Sequence, residues 1–381
     1  MMGHRAGDNT QVRALAEPLG WPFEIKEFAY QNWELATNVL LGDTLAGVKL
    51  DQSSPLEPPW PELIITAGRR NEPICRWIQK QADHRIRVVH VGRSWAPIEC
   101  FDLIITTPQY RVPALPNVLH NMLPLHSVSP ERLAKEAAIW RPRFRHLPAP
   151  YTLVVIGGNS GPYTFDAKSA RRLGEQANAV ALASGGAILA TTSARTEPAA
   201  TDAFEAALSV PAEIYRWHRH ATENPYLGML GLAQSIIVTG DSVSMLAEAA
   251  ATQRPVYIYD IGEGPTSMRL KDGARTRRAS GPSFWQRLRN GEVDKDDWKA
   301  FVYWQTMKYG PSRLTRDIRI VHQNLIAAGQ AVWLGEAFSE IRDQVPIADL
   351  PNAVDRIRAL FDTVDGPDPR SSTTDDRVSL P

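Results

Sequence analysis

The sequence predicts an α/β protein built from two Rossmann-like, doubly wound domains facing each other across a cleft. Three observations carry this reading. Short β-branched runs ending in Gly, Thr or Pro alternate with helical stretches, the pattern of a parallel sheet. The series occurs twice, on either side of the basic, proline-rich stretch RPRFRHLPAP at 141–150. The 381 residues also exceed a single domain of roughly 100 to 200 residues.

In the first series, strands are expected at 63–66, 86–91 and 103–106. Glu72 and Pro73 open a helix, because the first turn leaves its N–H groups unpaired and Pro has none to lose. Ile74, Trp77 and Ile78 share one face of it and should pack on the sheet. The stretch 141–150 has no usable apolar period and reads as the interdomain linker. The second series begins with TLVVIGGNSG (152–161). It continues as a helix over 166–183, a strand at 187–192, a helix near 202–208, a strand at 235–239, a helix over 242–252 and a strand at 255–259. Regularity fades over 262–310, an apparent insertion. A late helix at 351–361 carries Val354, Ile357, Leu360 and Phe361 on one face, and the Ser-, Thr-, Asp- and Pro-rich tail is expected to be disordered. The expected units are an N-terminal domain, 1–147, joined by a return helix at 351–363; a C-terminal domain, 150–340; and a tail, 366–381.

Composition excludes several functions. Lys plus Arg (42) equals Asp plus Glu (42), which argues against a nucleic-acid partner held by a pervasive basic surface. Two cysteines, Cys75 and Cys100, cannot build a disulfide framework or a four-ligand zinc site, and suit a reducing cytoplasm as small buried hydrophobes. No apolar run reaches the roughly 18 residues that cross a bilayer, and the opening residues lack a signal-peptide apolar region. A cytoplasmic protein is expected.

Candidate chemistry lies in loops that come after strands. In SIIVTGDSVSMLAEAAATQRPVYIY (235–259) a strand ends at Gly240, and Asp241, Ser242 and Ser244 turn into a helix. Amides and hydroxyls at such an N-terminus can bind phosphate, and Glu248, one turn beyond Ser244, can accept hydrogen bonds from ribose hydroxyls. The plainer alternative is that Ser242 or Asp241 caps the helix and Glu248 faces water; Asp241 would repel phosphate unless turned away. A second turn, Gly157, Gly158, Asn159, Ser160 and Gly161, lets the backbone approach a ligand, or is a tight turn only. It lacks the Walker ending and the dinucleotide fingerprint, so ATP and NAD are set aside. A third loop, TTSARTEP (191–198), offers Thr192 and Arg195, the latter as a diphosphate partner or a mere surface cation. Three polar loops at the carboxyl ends of neighbouring strands converge where open α/β sheets bind ligands.

In the first domain, the loops at 3–11, 67–73, 91–94 and 106–113 place Arg69, Arg70, Arg93 and Arg111 after strands, a positive wall suited to an anion. Asp8 or His4 in the opening loop, or His126 in LPLHSV, are the possible general bases; a lone His is more often structural. No His, Cys and Asp spacing suits a metal, so a metal-free mechanism without a cofactor is expected. The cations Arg269, Lys271, Arg275, Arg277, Arg278, Arg287 and Arg289, with Phe284 and Trp285, read as a solvated face or as an anionic-lipid or phosphate patch.

The ordered set GHRAGDNTQVRALAEPLG, ITAGRRNEP, FDLIITTPQYRVPALPNVL, PLHSV, VVIGGNSGPY, TTSARTEP, NPYLGML and VTGDSVSMLAEAAATQRPVYIY resembles the bacterial branch of the mitochondrial-fission ELM protein family. The resemblance covers about residues 3–340. It implies a GT-B glycosyltransferase-like fold, with the late helix returning to the first domain. The block at 240–257 is also similar to the nucleotide-sugar motif of the transferase that adds N-acetylglucosamine to the peptidoglycan lipid precursor, which implies diphosphate on Ser242 and Ser244 and ribose on Glu248. The resemblance further implies a bacterial, metal-independent transferase at the inner membrane. It would use a nucleotide-sugar donor held by Gly158, Ser160, Ser242, Ser244, Glu248 and Arg195. A glycan or lipid-linked acceptor would enter by Arg69, Arg70 and Arg111, with Asp8 or His126 removing its proton and peripheral membrane contact through 269–289. A non-catalytic adaptor and a sugar-nucleotide epimerase are the alternatives. Two departures stand out: the opening loop begins at Gly3 without the full apolar strand that family members carry before it, so either the start is misplaced or that strand is missing, and 262–310 is longer than a compact connection.

Overall fold

A computed structural model describes residues 1–3, 6–32, 42–262, 267–269, 284–291, 295–310, 315–338 and 347–362. The expectations for His4, Lys271, Arg275, Arg277, Arg278, the Arg287 side chain and the tail at 366–381 lie outside what is described. The strands are β1 (Leu63–Ala67), β2 (Arg87–Val91), β3 (Leu103–Thr106), β4 (Val118–His120), β5 (Tyr151–Val155), β6 (Ala187–Thr191), β7 (Ala212–Tyr215), β8 (Ala233–Thr239), β9 (Val256–Tyr259) and β10 (Val332–Trp333). The helices are α1 (Ala6–Leu19), α2 (Glu72–Gln81), α3 (Pro130–Phe144), α4 (Ala167–Ser184), α5 (Pro198–Ala206), α6 (Tyr226–Leu232), α7 (Val243–Ala250), α8 (Phe284–Arg289), α9 (Lys295–Tyr309), α10 (Arg319–Ala327) and α11 (Asp349–Arg358). The result is the expected α/β architecture, two parallel sheets facing a cleft.

The first sheet has the order β1-β2-β3-β4, all parallel. The two-residue period of a strand sends Ile64, Val88 and Ile104 to one face, where α2 buries Ile74, Cys75 and Ile78. Ile65, Val89 and Ile105 go to the other, beneath Val12 and Leu15 of α1 and Ala353, Val354 and Ile357 of α11. Thus the late helix packs on the first domain. At the open edge of β1, the Met1 amine donates to the Ile65 carbonyl at 2.7 Å and Met2 forms a parallel bridge with Glu27.

The second sheet has the order β10-β9-β8-β5-β6-β7, again all parallel. From β5 the chain moves one way through β6 to β7; it then returns to β8 and moves the other way. The order reverses between β5 and β8, so the loops that leave these strands diverge and open a crevice at their carboxyl ends.

Three expectations need correction. Residues 3–11 are not all loop: α1 starts at Ala6, and Asn9 ties back to Gly3 through 2.8 Å and 2.9 Å bonds, its polar first turn having hidden the helix. Residues 141–144 are helical and belong to α3. Leu133, Ala137, Trp140 and Phe144 lie on one stripe of α3 and enter the second domain's core, so 130–147 packs with that domain. Glycines make the contact close: a Cβ on Gly228 or Gly231 of α6 would lie 2.4 Å from the Trp140 ring or 2.5 Å from the Leu133 carbonyl. The insertion also has structure of its own, since α8 and α9 form within it and Trp285 packs edge-on against Phe301 at 5.5 Å.

Candidate functional site

The crevice at the reversal opens into the interdomain cleft, a cavity of about 820 Å³ lined from both domains. Its floor is the loop after β5. The Gly157 N–H donates to Thr239 Oγ1 at 2.7 Å and the Gly158 N–H to Asp241 Oδ2 at 3.1 Å, so the β5 and β8 loops are bonded together. Gly158 has φ +144°, and a Cβ there would meet the Arg195 carbonyl at 2.2 Å; only glycine fits. Asn159 is occupied within the loop, donating to Glu197 at 2.9 Å and accepting from the Phe165 N–H at 2.7 Å. Ser160 lines the cleft.

The loop after β8 brings Asp241 into the cavity lining. Its carboxylate is buried, paired with Arg195 at 2.7 Å, and burial raises its pKa against the opposing pull of Arg195 and Thr239. The Arg195 guanidinium also donates to the Asn159 carbonyl at 3.0 Å. Its charge is therefore balanced by Asp241, and it braces the loop while lining the cleft. Thr192 lines the cleft and accepts from the Trp217 N–H at 2.8 Å. Gly240 lies against Met268, which its Cβ would meet at 2.6 Å. Its carbonyl is 2.7 Å from Nε2 of buried His322, whose pKa burial lowers to about 4. A neutral imidazole thus donates to the end of β8.

Helix α7 starts without a side-chain cap. Ser242, its N-cap, makes no capping bond, whereas Ser129 and Asp166 cap α3 and α4. Ser242, Val243, Ser244 and Met245 line the cleft, so the unpaired amides of the first turn face it. The N-terminus of α1 comes from the opposite wall: a Cβ on Gly7 would lie 3.8 Å from Ser244 Oγ. Two positive helix ends therefore converge on one volume. One turn into α7, Glu248 accepts from the Tyr226 hydroxyl at 2.5 Å, and burial raises its pKa. It is neither water-facing nor spent on capping.

Of the first-domain candidates, Asp8 lines the cleft on α1. His126 lies one residue beyond the lining residue Leu125; its Nδ1 accepts from the Val128 N–H at 3.3 Å, and burial lowers its pKa. Arg69 stacks on Trp95 at 4.6 Å and Arg70 on Tyr30 at 5.4 Å. Arg111 bonds Asp317 of the second domain at 3.1 Å. Burial works to raise the Asp317 pKa, but Arg319 and Arg111 hold it below the usual value. These three arginines are thus part of packing or of the domain contact, outside the cavity lining. Arg316 of the second domain lines the cleft there, bonded to Gln109 of the first domain at 2.8 Å. Sequence reading passed over Arg316, Tyr226, Trp217 and His322, because each gains its place only through contacts more than 20 positions away or from a helix it did not foresee. Among the described residues, no three His, Cys, Asp or Glu side chains gather as a cation site, and no helix is long and apolar enough to cross a membrane.

The chain is 26% identical over 247 residues to the mitochondrial fission protein ELM1 of Arabidopsis thaliana, covering 59% of this chain and 57% of that one. It thus spans a little over half the length of that relative. An uncharacterized protein of Rickettsia prowazekii is 25% identical over 286 residues, 67% of this chain and 80% of the other. Among solved structures, a glycosyltransferase from Rickettsia africae is similar at 11% identity over 93% of each chain, TM-score 0.42. A UDP-GlcNAc 2-epimerase from Neisseria meningitidis is similar at 11% identity over 94% of this chain and 97% of that one, TM-score 0.44. The family described as Mitochondrial fission ELM1 matches residues 6–291, most of the sequence, and the chain belongs to that family.

Proposed function

We propose that the cleft binds a nucleotide sugar and that the chain is a metal-independent, glycosyltransferase-like protein acting on envelope glycans. The observation that carries this is the uncapped first turn of α7 at the strand-order reversal, faced by the N-terminus of α1, with Glu248 one turn along. The amides of α7 and the hydroxyls of Ser160, Ser242 and Ser244 suit a diphosphate, and Glu248 suits the ribose hydroxyls. In transfer, an acceptor oxygen bonds to the anomeric carbon as the bond from that carbon to the diphosphate breaks. Asp8 takes the acceptor proton, and the fixed donors stabilise the departing charge.

The acceptor in this reading is a glycan or lipid-linked group reached from a membrane surface. Trp285, Trp298, Val302 and Tyr309, all exposed on α8 and α9, and the cations of 269–289 are the features that favour peripheral contact. They support a cytoplasmic protein docked at the inner membrane. A non-catalytic adaptor on the same fold is the second reading, favoured by the engagement of Arg195 and Arg111 in structural pairs and by the Arabidopsis relative, whose name refers to fission.

A thermal-shift screen against UDP, GDP, CMP, ADP and their sugars, with and without Mg²⁺, tests the donor site, because a ligand of the folded state raises Tm. The expected result is a Mg²⁺-independent shift with one nucleotide family that Ser244→Ala and Glu248→Ala both reduce. No shift with any nucleotide would leave the adaptor; turnover of a nucleotide sugar without an acceptor would identify an epimerase.

A further inference from the structure

Beyond Glu248 the cleft continues along a wall that the diphosphate and ribose contacts leave unused. Tyr226, bonded to Glu248, opens α6; two residues earlier is Asn224, and Trp217, two residues past the end of β7, lines the same cavity. Ser244, Glu248, Tyr226, Asn224 and Trp217 line one cavity, which thus offers groups for the phosphate, ribose and base of a nucleoside diphosphate. Spacing agrees, since Ser244 and Glu248 lie about one 5.4 Å turn apart.

The wall is built to hold an aromatic ring. Trp217 leaves 39% of its surface exposed and lines the cavity, so its ring is accessible there to an aromatic partner. Its backbone is fixed from both sides: its main-chain N–H donates to buried Thr192, Arg216 before it pairs with Asp202 and Glu205 of α5, and the Tyr215 hydroxyl donates to the Glu223 carbonyl at 2.8 Å, closing the loop. Asn224 is oriented as well. Its Oδ1 accepts from the Tyr226 N–H at 3.1 Å, which leaves the amide nitrogen as a donor.

Resting on the nucleotide-sugar reading above, we infer that Trp217 and Asn224 form the nucleobase subsite and select a base with a carbonyl where adenine and cytosine carry an amino group. The indole stacks on the base face. The Asn224 amide donates to a ring carbonyl, as uracil or guanine provides; adenine presents an amino donor where those bases carry the carbonyl. The substrate class is therefore a uridine or guanosine diphosphate sugar.

The test is calorimetric titration of the full chain with UDP, GDP and ADP, for the wild type, Trp217→Ala, Trp217→Phe and Asn224→Ala. UDP or GDP should bind at least about 10-fold tighter than ADP. Trp217→Ala should weaken that nucleotide about 10- to 100-fold, the scale of one base-aromatic stack, with an unchanged unfolding midpoint, and Trp217→Phe should restore most of the loss. Asn224→Ala should bring the ratio to ADP close to one. Nucleotide binding that ignores Trp217→Ala, or a ratio that ignores Asn224→Ala, overturns this inference alone. Absence of any nucleotide binding by the wild type overturns the donor-site reading and this inference with it.

Discussion

Gly157→Ala isolates the contact on which the floor of the cleft depends. A Cβ at this position would lie 2.3 Å and 2.5 Å from the two carboxylate oxygens of Asp241 and 2.7 Å from its Cγ, where ordinary contact begins at 3.4 Å. The carboxylate must retreat by about 1 Å, which takes it out of hydrogen-bonding range of the Gly158 N–H and the Arg195 guanidinium. Asp241 is only 2% exposed, so a buried charge loses its partners. Forced overpacking costs about 1 to 3 kcal/mol, and a buried polar group left unpaired costs about 1 to 3 kcal/mol. Since relaxation of one relieves part of the other, about 3 kcal/mol is expected for the variant. The assay is urea unfolding of wild type, Gly157→Ala, Asp241→Ala and the double variant. With Asp241 shortened to Ala the new methyl meets no carboxylate, so Gly157→Ala should then cost under about 1 kcal/mol, a coupling of about 2 kcal/mol. Equal costs in both backgrounds, or a loss below about 0.5 kcal/mol in the wild type, would refute the clash and with it the role of Asp241 as the link between the β5 and β8 loops.

The same geometry sets three further outcomes. His322 has its pKa lowered from 6.5 to about 4, so the unfolded chain binds the extra proton first as pH falls; stability should be full above pH 6.5 and decline by about 3 kcal/mol on the way to pH 4, and His322→Gln should flatten that part of the profile in urea titrations at stepped pH. Burial pushes the Cys75 thiol up to about 12, while Cys100 is partly exposed; a thiol reagent at pH 8 should label Cys100 in the native protein and Cys75 only after denaturant, and rapid labelling of both would refute the burial. Ile357 is wholly buried on the inner face of α11 against the first domain, so Ile357→Ala should cost about 2 to 5 kcal/mol; an effect below about 1 kcal/mol by denaturant unfolding would mean that α11 does not dock there.

Local patterns made much of the fold legible. β3 falls where its apolar run ends, and α4 and β6 lie within one residue of their expected ends, because each has a clean period and a polar stop. α3 escaped: its Arg and Pro content masked the stripe of Leu133, Ala137, Trp140 and Phe144, which becomes visible only when Gly228 and Gly231 are seen to admit it. β4, β7 and β10 have two to four residues each, too few to show a period; parallel neighbours define them. The cleft was legible in the same way. Ser160, Ser242, Ser244, Thr192 and Glu248 come after strands or open helices, a local property, and all line the cavity.

What the sequence by itself determined is the set of backbone-dictated features: two α/β series, glycines where a turn allows nothing larger, and small polar residues at the helix start after β8. These depend on neighbours a few positions apart. What only the tertiary structure decided is which charges are free. Arg195, Asp241 and Arg111 looked alike from the sequence as candidates to meet or repel a ligand, yet Arg195 and Asp241 line the cleft as a mutual ion pair, while Arg111 is outside it, paired with Asp317. Long-range pairing selects among chemically equivalent side chains because a buried charge must find a counter-charge, and that partner is named by the fold alone.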